Sequence, residues 1–245
     1  MSRILLTLRY DGTGYCGWQV QPNGITVQQR MQDAIEAVTG IRSGLTGCSR
    51  TDAGVHANMF CCTFDTESPI RGNKLASALN AHLPRDIAVA ECREVSQEFH
   101  PRYDAAGKRY VYRIWNAPQR NPFLDKYALH IRHSLDTTMM NTAAADAVGR
   151  HDFAAFCAAG SSVDDTVRTM QDCHIERDGD IVNIIAQADG FLYNMVRILA
   201  GTLVEIGSHR RLADSIAIAL KSKNREDAGY TAPAHALVLD KVYYE

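Results

Sequence analysis

The most restrictive feature of the sequence is a nearly uninterrupted apolar stretch from Phe191 to Ile206. It is too short to cross a membrane and is interrupted by Arg197 and Glu205, and its length favours a helix. A helix that is apolar on almost every side is normally buried. The stretch therefore predicts a core helix that carries an arginine.

Arg197 needs an explanation in such a helix because a guanidinium group keeps its charge at any ordinary pH. An unpaired buried charge is costly, so a buried Arg197 requires a carboxylate partner. That pair would keep the acid ionised, since a nearby cation lowers the pKa of a carboxyl group. Three interpretations stay open: a functional pair lining a cleft, a structural ion pair, and an arginine that reaches the surface.

The composition is that of an ordinary globular protein, with 46% hydrophobic and 22% charged residues, which excludes wholesale disorder, collagen-like repeats and a coiled coil. Its 245 residues suffice for one large domain or two small ones. The net charge of −2 does not indicate a nucleic-acid partner. Yet 20 of the 26 basic residues are Arg, which is suited to bidentate phosphate binding and to stacking on bases. A GC-rich genome gives the same bias.

The cysteines and histidines argue against several classes of protein. Seven cysteines without a C-x-x-C spacing fit neither a disulfide framework nor a zinc knuckle, so reduced thiols in the cytoplasm are expected. Nine histidines show no metal-ligand spacing, and phosphate-loop and dinucleotide motifs do not occur. A metal-dependent hydrolase and a nucleotide-dependent enzyme are therefore poorly supported. The apolar start Ile4–Leu6 is too short for a signal peptide.

Strand and helix patterns alternate along the chain. Period-2 or buried apolar runs predict strands at residues 3–10, 57–65, 87–95, 107–116, 167–177, 181–188 and 236–244. Period-3.6 runs predict helices from Thr26 to Gly40 and at 72–83, 135–149, 191–206 and 212–221. The turn Asp178-Gly179 predicts a hairpin. The pattern predicts an α+β fold with a largely antiparallel sheet, in two halves, 1–104 and 105–245.

The first candidate site is the polar loop from Gly47 to Ala57. Asp52 precedes Ala53 and Gly54, so a ligand can approach its carboxylate closely. Loops on a rigid scaffold often carry catalytic groups. An Asx turn, in which Asp52 only caps its own backbone, fits the same residues.

The second candidate is the strand at 107–116. Its alternation puts Tyr110 and Tyr112 on one face, next to Lys108 and Arg109. Aromatic side chains flanked by basic residues resemble a base-stacking platform. An ordinary core face gives the same alternation.

Together these segments resemble the tRNA pseudouridine synthase A (TruA) family over nearly the whole chain. The resemblance is carried by these segments: Tyr10–Thr13, Gly17–Gln19, Thr26–Gln28, Arg50–Ala57, Phe99–Arg102, Arg109–Tyr112, His151–Phe153, Val167–Thr169, Gly190–Arg197, Gly201–Leu203, Ala228–Gly229 and Thr231–Ala234. Each motif is weak alone, but their order and spacing are specific.

The resemblance implies a pseudouridine synthase fold, with two sheet-rich halves forming a largely antiparallel central sheet flanked by helices and the active-site cleft between them. It implies isomerisation of uridine to pseudouridine in the tRNA anticodon stem-loop, at tRNA positions 38, 39 and 40. It further implies a cytoplasmic homodimer that binds tRNA, without a metal, a small-molecule cofactor or a membrane.

The resemblance also assigns roles to four residues. Asp52 is the expected nucleophile, an ionised carboxylate that attacks C1′ or C6 of the uridine or removes the 2′ proton. Arg197 is its expected buried cationic partner. Tyr110 is expected to stack on the flipped uracil, with its hydroxyl assisting loss of the C5 proton, and Arg50 to help displace the base.

Two alternatives concern RNA. A pseudouridine synthase for another RNA would share the Asp52 loop, because the chemistry is the same. A non-catalytic RNA-binding module would use the face of Tyr110 and Tyr112 and would need no buried arginine–carboxylate pair. In each of these cases a near-neutral chain binds a polyanion, which requires that its basic residues are grouped apart from its acidic residues. Binding should therefore depend strongly on salt concentration.

Overall fold

The computed structural model describes residues 1–160 and 163–244, which form two compact units. Unit 1 comprises Met1–Ala106 and the C-terminal residues from Val238, and unit 2 comprises Gly107–Leu237. Both units combine a mostly antiparallel sheet with helices, which confirms the predicted α+β class. The last strand of the chain thus belongs to unit 1.

Ten strands and five α-helices occur in the described residues. They are β1 Ser2–Tyr10, α1 Val27–Thr39, β2 Thr46–Gly47, β3 His56–Thr66, α2 Gly72–His82, β4 Ile87–Val95, β5 Ala105–Asn116, β6 Leu129–Ile131, α3 Thr137–Ala145, β7 Gly149–Asp152, β8 Val167–Asp178, β9 Ile181–Ala188, α4 Met195–Gly207, α5 Ser215–Ser222 and β10 Leu237–Tyr244.

The sheet of unit 1 has the strand order β4-β1-β3-β10, and the short β2 also pairs with β3. Only the β3–β10 pair among these is parallel. The predicted first helix is confirmed at both ends. The Thr26 hydroxyl accepts a hydrogen bond from the N–H of Gln29, and Gly40 ends α1 in the left-handed conformation at φ 76°.

The sheet of unit 2 has the strand order β5-β9-β8-β7, with β6 parallel to β5. The predicted hairpin is confirmed, since β8 and β9 are antiparallel and Gly179 has a φ of 56° in the connecting turn. One face of β5 is buried, with Tyr112 and Ile114 fully inaccessible. The period-2 alternation of this strand is therefore confirmed, and of its two interpretations the ordinary core face fits the observed burial.

Three helices differ from their predicted bounds by three or four residues at one end: α4 at its start, α3 at its end, which is Ala145 rather than residue 149, and α5 at its start, which is Ser215 rather than residue 212. The helix α4 begins at Met195 rather than Phe191, because Asn194 adopts the left-handed conformation at φ 59° and interrupts helical backbone on its N-terminal side. The helix α3 begins after Asp136, whose carboxylate accepts a hydrogen bond from Met139 N–H and caps the helix. The apolar pattern extends past the start of α4 and does not reveal the backbone conformation of Asn194.

All seven cysteines are free thiols. Within residues 1–160 and 163–244, no three His, Cys, Asp or Glu side chains are grouped so that they could hold a metal ion. In the same part of the chain, every helix is too short or too polar for a membrane span.

Candidate active site

In unit 1 the loop between β2 and β3 carries Asp52, and backbone hydrogen bonds hold this loop. Trp18 N–H donates to Thr51 O at 3.1 Å, and Gly54 N–H donates to Tyr15 O at 3.3 Å. Within the loop, the N–H of residue 55 donates to Asp52 O at 3.2 Å. These bonds use main-chain atoms, so they fix the path of the loop independently of the Asp52 carboxylate.

Two glycines allow the segment at residues 12–18 to approach the Asp52 loop this closely. A Cβ on Gly12 would lie 2.0 Å from Val55 O. A Cβ on Gly17 would lie 2.4 Å from Thr51 O, and Gly17 also has a φ of 80°. Neither position can hold a larger residue without moving the loop.

Buried polar contacts reinforce the same junction. The Tyr10 and Thr51 hydroxyls share a buried hydrogen bond of 2.8 Å. His56 is buried, and its Nδ1 accepts a hydrogen bond from Gly12 N–H at 3.0 Å. The same Nδ1 lies 3.1 Å from Asp11 Oδ1. The loop is therefore tied to the end of β1 by side chains as well as by backbone.

An aromatic pair supports the Asp52 loop from the core of unit 1. The Trp18 and Phe60 rings are 4.1 Å apart at an angle of 31°, and both are buried. A Cβ on Gly47 would lie 2.7 Å from Trp18 Nε1, so the entry to the loop packs directly on this pair. Local patterns did not reveal this support, although a buried Trp within a glycine-rich segment was a usable signal.

The two predicted site residues of unit 1 differ in exposure. Asp52 is partly buried, whereas Arg50 is exposed on the same loop. The loop can thus present a positioned carboxylate together with a solvent-exposed cation.

In unit 2 the Arg197 side chain is partly buried on α4 and is oriented by two neutral oxygen atoms. Its Nε donates to Ala232 O at 2.8 Å, and its Nη1 donates to Asn194 Oδ1 at 2.6 Å. The backbone O of Arg197 accepts from Ala232 N–H at 3.1 Å. These contacts fix the direction of the guanidinium group. The predicted carboxylate pairing stays a prediction.

The segment that contains Ala232 is itself fastened to α4. A Cβ on Gly201 would lie 1.9 Å from Tyr230 O, so the segment packs directly on the helix backbone there. Gly229 N–H donates to the buried Thr202 hydroxyl at 2.8 Å, and Arg225 Nη1 donates to Gly229 O at 2.8 Å. Small residues on α4 and near the C-terminus were the sequence signal for this contact.

The two tyrosines of β5 have different surroundings. Tyr112 is fully buried and its hydroxyl donates to Pro233 O at 3.0 Å, and burial raises the pKa of that hydroxyl. Tyr110 is 6% exposed, and its ring contacts Phe191 edge-on at 5.0 Å and 83°. Both rings are buried and Tyr112 is fully inaccessible, so the pair does not form the exposed platform that an RNA-binding module would use.

Comparison with known proteins gives consistent results over the full chain. Residues 7–104 and 143–245 match a family model described as tRNA pseudouridine synthase. The chain is 46% identical over 244 residues to the tRNA pseudouridine synthase A of Thermoanaerobacter sp. (strain X514), with 100% of both proteins covered. The identity and coverage are the same for the tRNA pseudouridine synthase A of Acetivibrio thermocellus.

One solved structure is distantly similar. Its title is "Crystal Structure of a Cbf5-Nop10-Gar1 Complex", with a TM-score of 0.36 and 10% identity over 84% of this chain and 55% of that chain. A likeness at this level adds nothing to the family match.

Proposed function

The chain belongs to the tRNA pseudouridine synthase family and isomerises uridine to pseudouridine in tRNA, and we propose that it does so with Asp52 as nucleophile. One observation carries the choice of Asp52. It is a partly buried carboxylate in a loop that backbone hydrogen bonds and two sterically required glycines hold in one conformation. Such preorganisation is what a positioned catalytic carboxylate needs.

The reaction is balanced without a cofactor. The N1–C1′ glycosidic bond breaks, the uracil turns, and a C5–C1′ bond forms. The proton on C5 is lost and N1 gains one, so there is neither a redox change nor net hydrolysis. Asp52 serves as an ionised carboxylate that forms a transient covalent bond with the substrate.

Arg197 is proposed as the cation that keeps Asp52 ionised. A guanidinium group near a carboxylate lowers its pKa and favours the charged form. The hydrogen bonds to Ala232 O and Asn194 Oδ1 orient the Arg197 side chain and support this role. Both oxygens are neutral, so neither compensates the charge of the guanidinium group.

Tyr110 and Arg50 are proposed as substrate-binding residues. Tyr110 offers an aromatic ring steadied by Phe191, and its hydroxyl would assist loss of the C5 proton. Arg50 is exposed, so its guanidinium can occupy the space that a flipped uridine leaves. Replacing Tyr110 by Phe retains the ring and tests the hydroxyl alone. We expect a slower release of the C5 proton with tRNA binding unchanged.

The proposed substrate sites are the uridines at positions 38, 39 and 40 of the tRNA anticodon stem-loop, as the family resemblance implies. The same resemblance supports a cytoplasmic homodimer. Seven free thiols are typical of a protein from a reducing compartment.

The function is tested by tritium release from tRNA labelled at C5 of its uracils. Wild-type protein should release tritium, and a chelator should not slow it. Asp52→Ala should abolish release while tRNA binding persists. Substantial turnover by this variant would exclude Asp52 as the nucleophile.

A further inference from the structure

The segment of residues 228–233, which we call the strap, packs against α4 in unit 2 and contains Ala232. It connects two short 3₁₀ turns, Arg225–Asp227 and Ala234–Ala236. In the described part of the chain, the residues of the strap belong to neither a helix nor a strand. The backbone polar groups of such a segment must find other partners. The conformation of the strap therefore depends on the side chains that bind it.

The half-buried Arg225 side chain binds the strap at two points. Its Nη1 donates to Gly229 O at 2.8 Å, and its Nη2 donates to Thr231 Oγ1 at 3.2 Å. Both acceptors are neutral, so the guanidinium group serves here as a forked hydrogen-bond donor. The fork is planar and its geometry is fixed, and hydrogen bonds from a charged donor are stronger than neutral ones. The two bonds therefore fix Gly229 and Thr231 relative to each other.

Thr231 directly precedes Ala232, whose backbone binds Arg197 twice. Ala232 O accepts a hydrogen bond from Arg197 Nε at 2.8 Å, and Ala232 N–H donates to Arg197 O at 3.1 Å. Ala232 itself is fully buried. Because Thr231 and the Ala232 N–H belong to one planar peptide group, a shift of Thr231 moves this N–H as well. The position of Thr231 thus influences the direction of the Arg197 guanidinium group.

We propose that Arg225 is a positioning residue of the isomerisation, which fixes the strap so that Ala232 O orients the Arg197 guanidinium group. The inference rests on the proposed function, in which Arg197 is the cation of the site. Arg225 acts through the strap rather than on the substrate. Its effect on the reaction therefore requires that the Arg197 side chain is present.

Arg211 is the matched control, because it binds the same region at a point farther from Ala232. Its two Nη atoms donate to the backbone oxygens of residues 227 and 228 at 2.8 and 3.0 Å. Between that point and Ala232, Gly229 N–H donates to the buried Thr202 hydroxyl at 2.8 Å and fastens the strap to α4. Loss of the Arg211 side chain should therefore lower stability without changing the reaction.

The test is a double-mutant cycle that combines Arg225→Met with Arg197→Met. Alone, Arg225→Met should lower kcat for tritium release about 10-fold and leave KM for tRNA within ~2-fold, because the cation is misoriented while tRNA binding is retained. In the Arg197→Met background, the same change should alter kcat less than ~2-fold, because no guanidinium group is left to orient. A purely structural role would lower kcat equally in both backgrounds. All variants are assayed at a temperature at which thermal unfolding shows them to be folded.

Milder variants keep the test decisive if Arg225→Met folds poorly. Thr231→Val removes one acceptor of the Arg225 fork and should lower kcat about 3-fold, again only when Arg197 is present. Arg225→Lys keeps the charge but not the fork, so its kcat should lie between those of Arg225→Met and wild type. Arg211→Met should lose stability in urea unfolding and keep kcat within ~2-fold of wild type.

Each outcome decides the proposal. A loss of kcat that requires Arg197 would support it. Equal losses in both backgrounds, a wild-type kcat for Arg225→Met, or an equal loss of kcat for Arg211→Met would overturn it and leave the proposed function intact. A wild-type kcat for Arg197→Met would instead contradict the proposed role of Arg197, and this inference with it.

Discussion

The two candidate regions are held in place in different ways. The Asp52 loop in unit 1 is fixed by backbone atoms and by the close approach of Gly12 and Gly17. In unit 2, the Arg197 side chain itself donates the hydrogen bonds that link α4 to Ala232 and Asn194. The path of the Asp52 loop therefore rests on main-chain atoms, whereas replacing the arginine changes local structure together with charge.

The largest predicted effect is that of Asp52→Asn. Removal of the nucleophile should lower kcat at least ~1,000-fold, by analogy with losses seen when catalytic nucleophiles are removed. The melting temperature should stay within ~2 °C of wild type, because Asn has the shape of Asp and the main-chain bonds that hold the loop remain. Tritium release and thermal unfolding provide the two readings. A large fall in melting temperature would contradict the claim that main-chain atoms hold the Asp52 loop.

Arg197→Met should reduce both activity and stability. The variant loses two hydrogen bonds from a charged donor, which costs about 1–3 kcal/mol in the free energy of unfolding. Its activity should fall ~100-fold as the proposed partner of Asp52 is lost. Arg197→Lys is the matched control, since it keeps the charge but not the forked geometry, and it should recover part of the activity. A stable, fully active Arg197→Met protein would refute the role of the arginine.

Gly12→Ala should have an intermediate effect. The added methyl group meets Val55 O at 2.0 Å and must displace the Asp52 loop. We expect a loss of about 1–3 kcal/mol in stability and an activity loss of up to ~100-fold from misplacement of the carboxylate. Gly14→Ala is the control, because a Cβ there meets nothing within 4 Å. Equal behaviour of the two variants in urea unfolding and tritium release would argue against steric positioning.

The smallest effect is expected for Tyr112→Phe. The variant leaves Pro233 O without its donor and should lose about 0.5–1.5 kcal/mol of stability, measured by urea unfolding. Activity should change less than about 3-fold, since this loss is within the range of one neutral hydrogen bond. A loss of activity comparable to that of Arg197→Met would mean that the hydroxyl acts in the reaction.

The sequence predicted those parts of the fold that depend on neighbouring residues. The alternation of β5, the Thr26 cap, the Gly40 stop and the turn at Gly179 all rest on local rules, and all are confirmed. The start of α4 was wrong by four residues because the backbone conformation of Asn194 leaves no trace in apolarity.

Contacts between distant segments could not be predicted in the same way. Gly12 contacts Val55, and Arg197 contacts Ala232. No periodic pattern in the intervening sequence relates the two members of either pair. The family motifs indicated that these segments matter, but only the structure reveals what each one contacts. The close approach of Gly12 to Val55 O fixes the Asp52 loop, and the hydrogen bond to Ala232 O orients the Arg197 side chain.

The arginine excess also has a partly structural explanation. Arg3 forms a forked pair with Asp65, with both distances 2.9 Å, and Arg211 binds Glu205 at 2.6 Å. Arg225 donates to backbone and side-chain oxygens near Thr231. Many arginines are therefore used to hold the fold, and total charge is a poor guide to RNA binding.

Mapping of pseudouridine in unmodified tRNA tests the central claim most directly. Transcripts with uridine at positions 38, 39 and 40 are incubated with wild-type protein and with Asp52→Asn, and every uridine is then read by a chemistry specific for pseudouridine. We expect modification by wild type at these positions alone and none by the variant. Modification elsewhere only, or equal modification by both proteins, would contradict the account.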